Sequence, residues 1–293
     1  MAGNSIFTKK LKRCVRSERG MTIVELLAAM VISAILVTGV LKFFLDQSRS
    51  YLENRQASEM QQELRWAMNY IGERMKLAGN GVPPTCGWPA IENYDGGGSA
   101  PDSISILGSF KSLVITTTQT MGNEGSQVKV DNTDGLEIGD LCVISDGTFQ
   151  EIFLATDVKD MHIWHDTYEP WNDDKKLDHR YASDSSLTVV SYYSFFVEID
   201  DEGRSNLMVT TQAYAPQLLI GDVDNFQIRF KMKNGEWIDE PYQDEIIDIR
   251  MIEITIRAQS PEPLPGYTDP VYGDAYKRIE MTSTVIPKNI TIL

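Results

Sequence analysis

Hydrophobic and polar positions divide the chain into three stretches. Leu26 to Leu41 contains no charged residue. With Met21–Val24 and Phe43–Leu45 the apolar stretch reaches about 25 residues, about 37 Å as helix, against a hydrocarbon core of about 30 Å. The residues after Leu45 are polar but helix-prone, with neither proline nor glycine before Gly72. Leu64, Ala67, Met68, Ile71, Met75 and Ala78 recur at three- and four-residue steps, an amphipathic stripe. Gly79-Asn80-Gly81-Val82-Pro83-Pro84 then stops the helix. The pattern predicts one helix from about Met21 to Ala78, about 87 Å long. Its first half is apolar all round, and its second half has one buried face.

The third stretch alternates with a period of two. In FQIRF (226–230) and RMIEITIR (250–257) apolar and polar residues alternate, as in strands with one buried and one wet face. The pattern predicts strands over 104–118, 136–144, 149–155, 206–211, 223–233, 246–258 and 276–286, with turns at Asp131–Gly135, Asp146-Gly147, Asp200–Gly203 and Asn234-Gly235. Leu187–Ile199 reads as a candidate strand pair. Residues 80–103 read as a loop because of their Pro and Gly content. The fold class expected is α+β: a long N-terminal helix on an antiparallel sheet, with a β-rich insert over about 100–186. The expected divisions are 1–20, 21–45, 46–79 and 80–293.

Charge adds direction. The chain has 27 basic and 42 acidic residues, net −15. Residues 1–20 hold six bases and one acid, so their removal takes the net to −20. A basic leader before an apolar run places the leader in the cytoplasm and the remainder outside. The acidic remainder argues against sequence-independent nucleic-acid binding. Cys14 lies in the leader, leaving Cys86 and Cys142. In an oxidising compartment they are expected to pair, the alternative being two unpaired thiols.

Candidate chemistry elsewhere is weak. His162, His165 and His179, the only histidines of the chain, lie within an aromatic stretch, 161–181. His162 and His165, with Asp166 or His179, could ligate a transition metal, but the spacing fits no metal motif. A lid over the sheet is the preferred reading, ahead of an exposed aromatic loop contacting a partner. Asp131, Asp134, Asp222 and Asp224 lack the spacing of a calcium loop and read as solvated turns. No nucleophile elbow or phosphate-binding loop is present. No cofactor, metal or enzymatic activity is expected.

Glu25 remains. A carboxylate in a membrane helix costs on the order of 2.5–3.5 kcal/mol at the bilayer centre and less near its edge. Cleavage after Gly20 would give Met21 an α-ammonium four residues before Glu25, available to the Glu25 of a neighbouring subunit. The alternative is an uncleaved signal-anchor with Glu25 at the membrane surface. The run Arg19-Gly20-Met21-Thr22-Ile23-Val24-Glu25-Leu26-Leu27 resembles the class III signal of type IV prepilins and type II secretion pseudopilins. The family mostly has phenylalanine where this chain has Met21, and its helix proline is absent. FQIRF, the Asn-Gly turn, Trp237 and the closing TVIPKN are similar to the PilW/GspJ-type minor pilins. The resemblance implies cleavage between Gly20 and Met21 by a prepilin peptidase, N-methylation of Met21 and an assembly charge at Glu25. It also implies partnership with other minor and major pilins and an inner-membrane assembly platform. The corresponding location is the inner membrane, single-pass, with the head in the periplasm, and then a pilus or pseudopilus. The role expected is to prime or cap such a filament. The alternatives are a pilus-tip adhesin using residues 100–186 and a type II secretion pseudopilin.

Overall fold

The computed structural model describes residues 21–83, 86–98, 100–111, 113–122, 125, 127–173 and 176–290. The chain divides into two units, the first ending at Tyr51 and the second beginning at Leu52. Helix α1, Ile23–Leu77, is one uninterrupted α-helix. In the first unit every described residue from 21 to 47 is exposed. This part of α1 buries nothing within its own chain, and its most apolar 18-residue window has a mean hydropathy of 2.4. It is long and apolar enough to cross a membrane.

In the second unit the α1 stripe is buried as its spacing requires. Met60, Leu64, Ala67, Met68, Ile71 and Met75 are at most 5 % exposed. Fully burying a side chain of this kind contributes about 1.5–3 kcal/mol. The helix ends where Gly79, at φ +79°, donates its N–H to Leu107 O at 2.9 Å. Gly108 closes the same junction. A Cβ there would lie 2.4 Å from Leu77 O, so only glycine lets this strand end meet the helix end.

Among the described residues fifteen strands follow: β1 Ile91–Tyr94, β2 Ser103–Gly108, β3 Val114–Thr116, β4 Gln127–Lys129, β5 Leu141–Ser145, β6 Gln150–Leu154, β7 Asp157–Lys159, β8 His162–Trp164, β9 Ser186–Ile199, β10 Ser205–Thr211, β11 Tyr214–Ile220, β12 Val223–Met232, β13 Trp237–Ile238, β14 Ile249–Gln259 and β15 Arg278–Val285. They form three antiparallel sheets. One has the order β13-β12-β14-β15, another β4-β8-β7, and the largest joins β1-β2-β9-β10-β11 with β3, β5 and β6.

β9 is the spine of the largest sheet. Its C-terminal half pairs with β2 and β10, from Ser191 to Ile199. Its N-terminal half pairs with β3 and β5, from Ser186 to Val190. The candidate strand pair over 187–199 is therefore one strand: the run has no glycine, proline or asparagine at which to turn. The expected 80–103 loop contains β1, and β11 occupies a stretch for which the sequence pattern gave no strand. Residues 104–118, expected to form strands, hold most of β2 and all of β3.

The core has three parts. The stripe of α1 packs with Ile104 and Ile106 of β2, Phe195 of β9, and the inward residues of β12 and β14, including Phe226, Ile228, Ile252 and Ile254. A second cluster includes Ile115, Val128, Cys142, Phe153, Ile163, Tyr181 and Val189. A third includes Cys86, Leu107, Leu141, Val143, Trp171 and Val190. β2, within the expected 100–186 region, thus belongs with the helix-bearing core, whereas β3 to β8 cluster apart from it.

Candidate functional site

The start of α1 is a reciprocal cap. The Thr22 backbone N–H donates to Glu25 Oε2 at 2.9 Å, and the Thr22 hydroxyl donates to the same oxygen at 3.0 Å. The Glu25 N–H donates back to Thr22 Oγ1 at 3.2 Å. This is a capping box, which satisfies two helix-start donors otherwise left without partners. The carboxylate also sits at the positive end of the helix dipole. Sequence reading found Glu25 but not Thr22. The Thr-x-x-Glu spacing before an apolar run was the available signal. Met21 is exposed, and Gly20, the expected residue before the cut, lies outside the described residues.

The family model of the prokaryotic N-terminal methylation motif matches residues 15–41. The chain carries the prokaryotic N-terminal methylation motif. Its motif covers the leader end, Gly20, Met21, Glu25 and most of the apolar half of α1. One similar solved structure is the type IV-like pilin TTHA1219 from Thermus thermophilus, at 10 % identity and a TM-score of 0.39 over 79 % of this chain and 98 % of that one. No curated protein matches the sequence.

Among the described residues the cysteines are not joined. Cys86 and Cys142 are both buried and free. The expected pairing fails on strand geometry. Successive residues of β5 face opposite sides of the sheet, and Cys142 enters the second cluster while Leu141 and Val143 enter the third, with Cys86. Burial raises the pKa of both thiols.

The histidines separate into three environments. His162 Nδ1 lies 2.8 Å from Asp160 O. His165 is buried beside Phe153. His179 lies 3.2 Å from Asp146 and stacks on Phe149. Among the described residues no group of three His, Cys, Asp or Glu side chains could hold a metal ion. The 161–181 stretch packs inward through Trp171, Leu177 and Tyr181. Asn172, also buried, ties it to β6 by bonds of 2.8 and 2.9 Å to Leu154. Sequence reading preferred this lid.

Of the acidic turns, Asp131 accepts from Thr116 N–H at 3.0 Å, and Asp134 donates its N–H to Asn132. Asp222 has φ +54°, and burial raises its pKa. Asp224 is an anchor that sequence reading missed. It accepts from Arg257 at 2.8 Å and Arg278 at 2.9 Å. Arg278 also bonds Asp274, and its guanidinium lies 4.1 Å from the Tyr272 ring centre. Asp269 accepts the N–H groups of Val271 and Tyr272. These bonds hold the loop before β15 in one shape. The next residue, Lys277, reaches Glu53 of α1 at 2.7 Å.

Proposed function

We propose that this chain is a minor pilin that primes or caps a type IV pilus or related pseudopilus. Its role is structural rather than catalytic. The observation that carries the reading is an exposed apolar helix whose first turn holds one carboxylate, in register with the N-methylation motif. In the separate subunit Thr22 satisfies Glu25. After cleavage between Gly20 and Met21, by a prepilin peptidase, the α-ammonium of a neighbouring subunit offers Glu25 a stronger, charged donor. A carboxylate left unpaired among packed apolar helices costs several kcal/mol. The pairing therefore selects one register of each helix against the next. Until assembly the apolar half spans the inner membrane once, leader in the cytoplasm and head in the periplasm.

The deciding experiment replaces Glu25 with alanine in the cells that make the filament. Intact mass should still show the leader removed, while filament number falls by about tenfold or more. Unchanged filaments would sink the reading.

The separate cluster formed by β3 to β8 favours one second reading, a tip adhesin. Deleting the residues between β2 and β9 while keeping the anchor would then abolish adhesion and leave filaments intact.

A further inference from the structure

Among the described residues Arg74 has no anionic partner, and its setting is well built. Its guanidinium lies 3.3 Å from the Tyr70 ring centre and 4.9 Å from that of Tyr193. Nη1 donates to Tyr70 O at 3.1 Å, and Nε is buried without a hydrogen-bond partner. Tyr70 stacks at 5.4 Å on Trp66. Trp66 is the large aromatic of the outer face of α1 in this unit, and it is 51 % exposed. Trp, Tyr and Arg are the residue types that dominate protein–protein binding energy. Trp66 also walls a groove of about 470 Å³ between α1 and the end of β11, together with Glu59, Glu63 and Leu218. Leu218 is 61 % exposed. Burial and the neighbouring Glu59 and Asp222 charges raise the Glu63 pKa. Among the described residues no anion pairs with Arg74 and no base pairs with Glu63, whereas Glu59 is held by Arg55 at 2.9 Å.

We infer that the Trp66–Tyr70–Arg74 stripe docks the α-helix of a different pilin-like subunit, which presents a basic side chain to Glu63 and a carboxylate to Arg74. This rests on the filament reading above. Glu63 and Arg74 are eleven residues apart, about 16 Å and close to three turns. A partner helix lying alongside repeats that spacing on one face, so its base and its acid meet both ends together. An added β-strand fits less well, because Pro216 removes a backbone donor from β11. A second copy of the chain also fits poorly. Two copies antiparallel would match Glu63 to Arg74 twice, but chains anchored at the same end in one membrane are parallel. Parallel copies would offer Lys42 and Glu53, and Lys277 already holds Glu53.

The test places a photo-crosslinking amino acid at position 66 of the full chain in its native cell, with the adduct sequenced by mass spectrometry. Val114, 66 % exposed, is the control position. The expected product joins position 66 to the helix of another processed pilin-like subunit and falls by about tenfold in Arg74→Glu. Glu63→Lys should reduce it likewise, and its thermal midpoint checks the fold. An adduct no stronger than that from position 114, one containing a second copy, or one insensitive to both charge reversals overturns the inference. If Glu25→Ala abolishes filaments while the adduct fails these criteria, only the docking assignment falls. If Glu25→Ala leaves filaments intact, the filament reading falls with it.

Discussion

At the residue scale the proposed function gives Glu25 two separable tasks. Capping needs an acceptor at the third helical position, which glutamine also supplies. Pairing with an ammonium needs a negative charge. Glu25→Gln should therefore keep leader removal and helix content, by mass and circular dichroism, while filament number falls nearly as far as in Glu25→Ala. Equal filament numbers in wild type and Glu25→Gln would show that the cap alone matters. The thiols give a second prediction at this scale. Unfolded without reductant, the mature chain should take up two alkyl groups, one each at Cys86 and Cys142. Under native conditions it should take up none quickly, since burial disfavours the reactive thiolate. Glu25 was legible in the sequence because one charge interrupts an apolar run. The fate of the cysteines was not. Even count and compartment say nothing about which face of β5 a side chain takes.

At the element scale the legible parts were those where one periodicity governs many residues. The α1 stripe and the alternations in β12 and β14 meet that condition, and each buries the residues its pattern assigns. The short strands β1, β4, β7 and β8 escaped because three or four residues cannot display a period. β11 escaped because Ala215, Pro216 and Gln217 carry no strand signature, and its place comes from pairing with β10. The joint between α1 and β2 is where local chemistry decides most. Gly108→Ala would press a methyl group against Leu77 O, so the helix end or the strand end must shift. The expected cost is about 1–3 kcal/mol, measured by thermal unfolding of the full chain in detergent. Leu64→Ala, which leaves a cavity, should cost about 2–5 kcal/mol by the same measurement.

At the scale of the whole molecule the ionic clasp before β15 replaces what a covalent bridge would do. Two of its carboxylates, Asp269 and Asp274, titrate on the acid side. Backbone donors from Tyr272 and Val271 hold Asp269 below its ordinary pKa, and Arg278 does the same for Asp274. A depressed pKa contributes stability above the unfolded value, about 3.9, and that contribution is lost as pH falls through the folded value. Between neutral pH and about pH 5 the clasp should hold. Below about pH 4 protease cleavage within 261–277 should rise before the rest of the head unfolds. Arg278→Ala, which strands Asp224 beside Arg257 alone, should cost about 3 kcal/mol and bring that cleavage to neutral pH.

The unbroken course of β9 has a mechanical corollary. One backbone crosses from the layer bearing the helix to the layer formed by β3, β5 and β6, and it contains no joint. A pull on the outer layer cannot be absorbed by a hinge there, so it is handed along the ladder to the partners of the inner half. A subunit built this way would yield under tension by losing whole strands, rather than by bending at the waist.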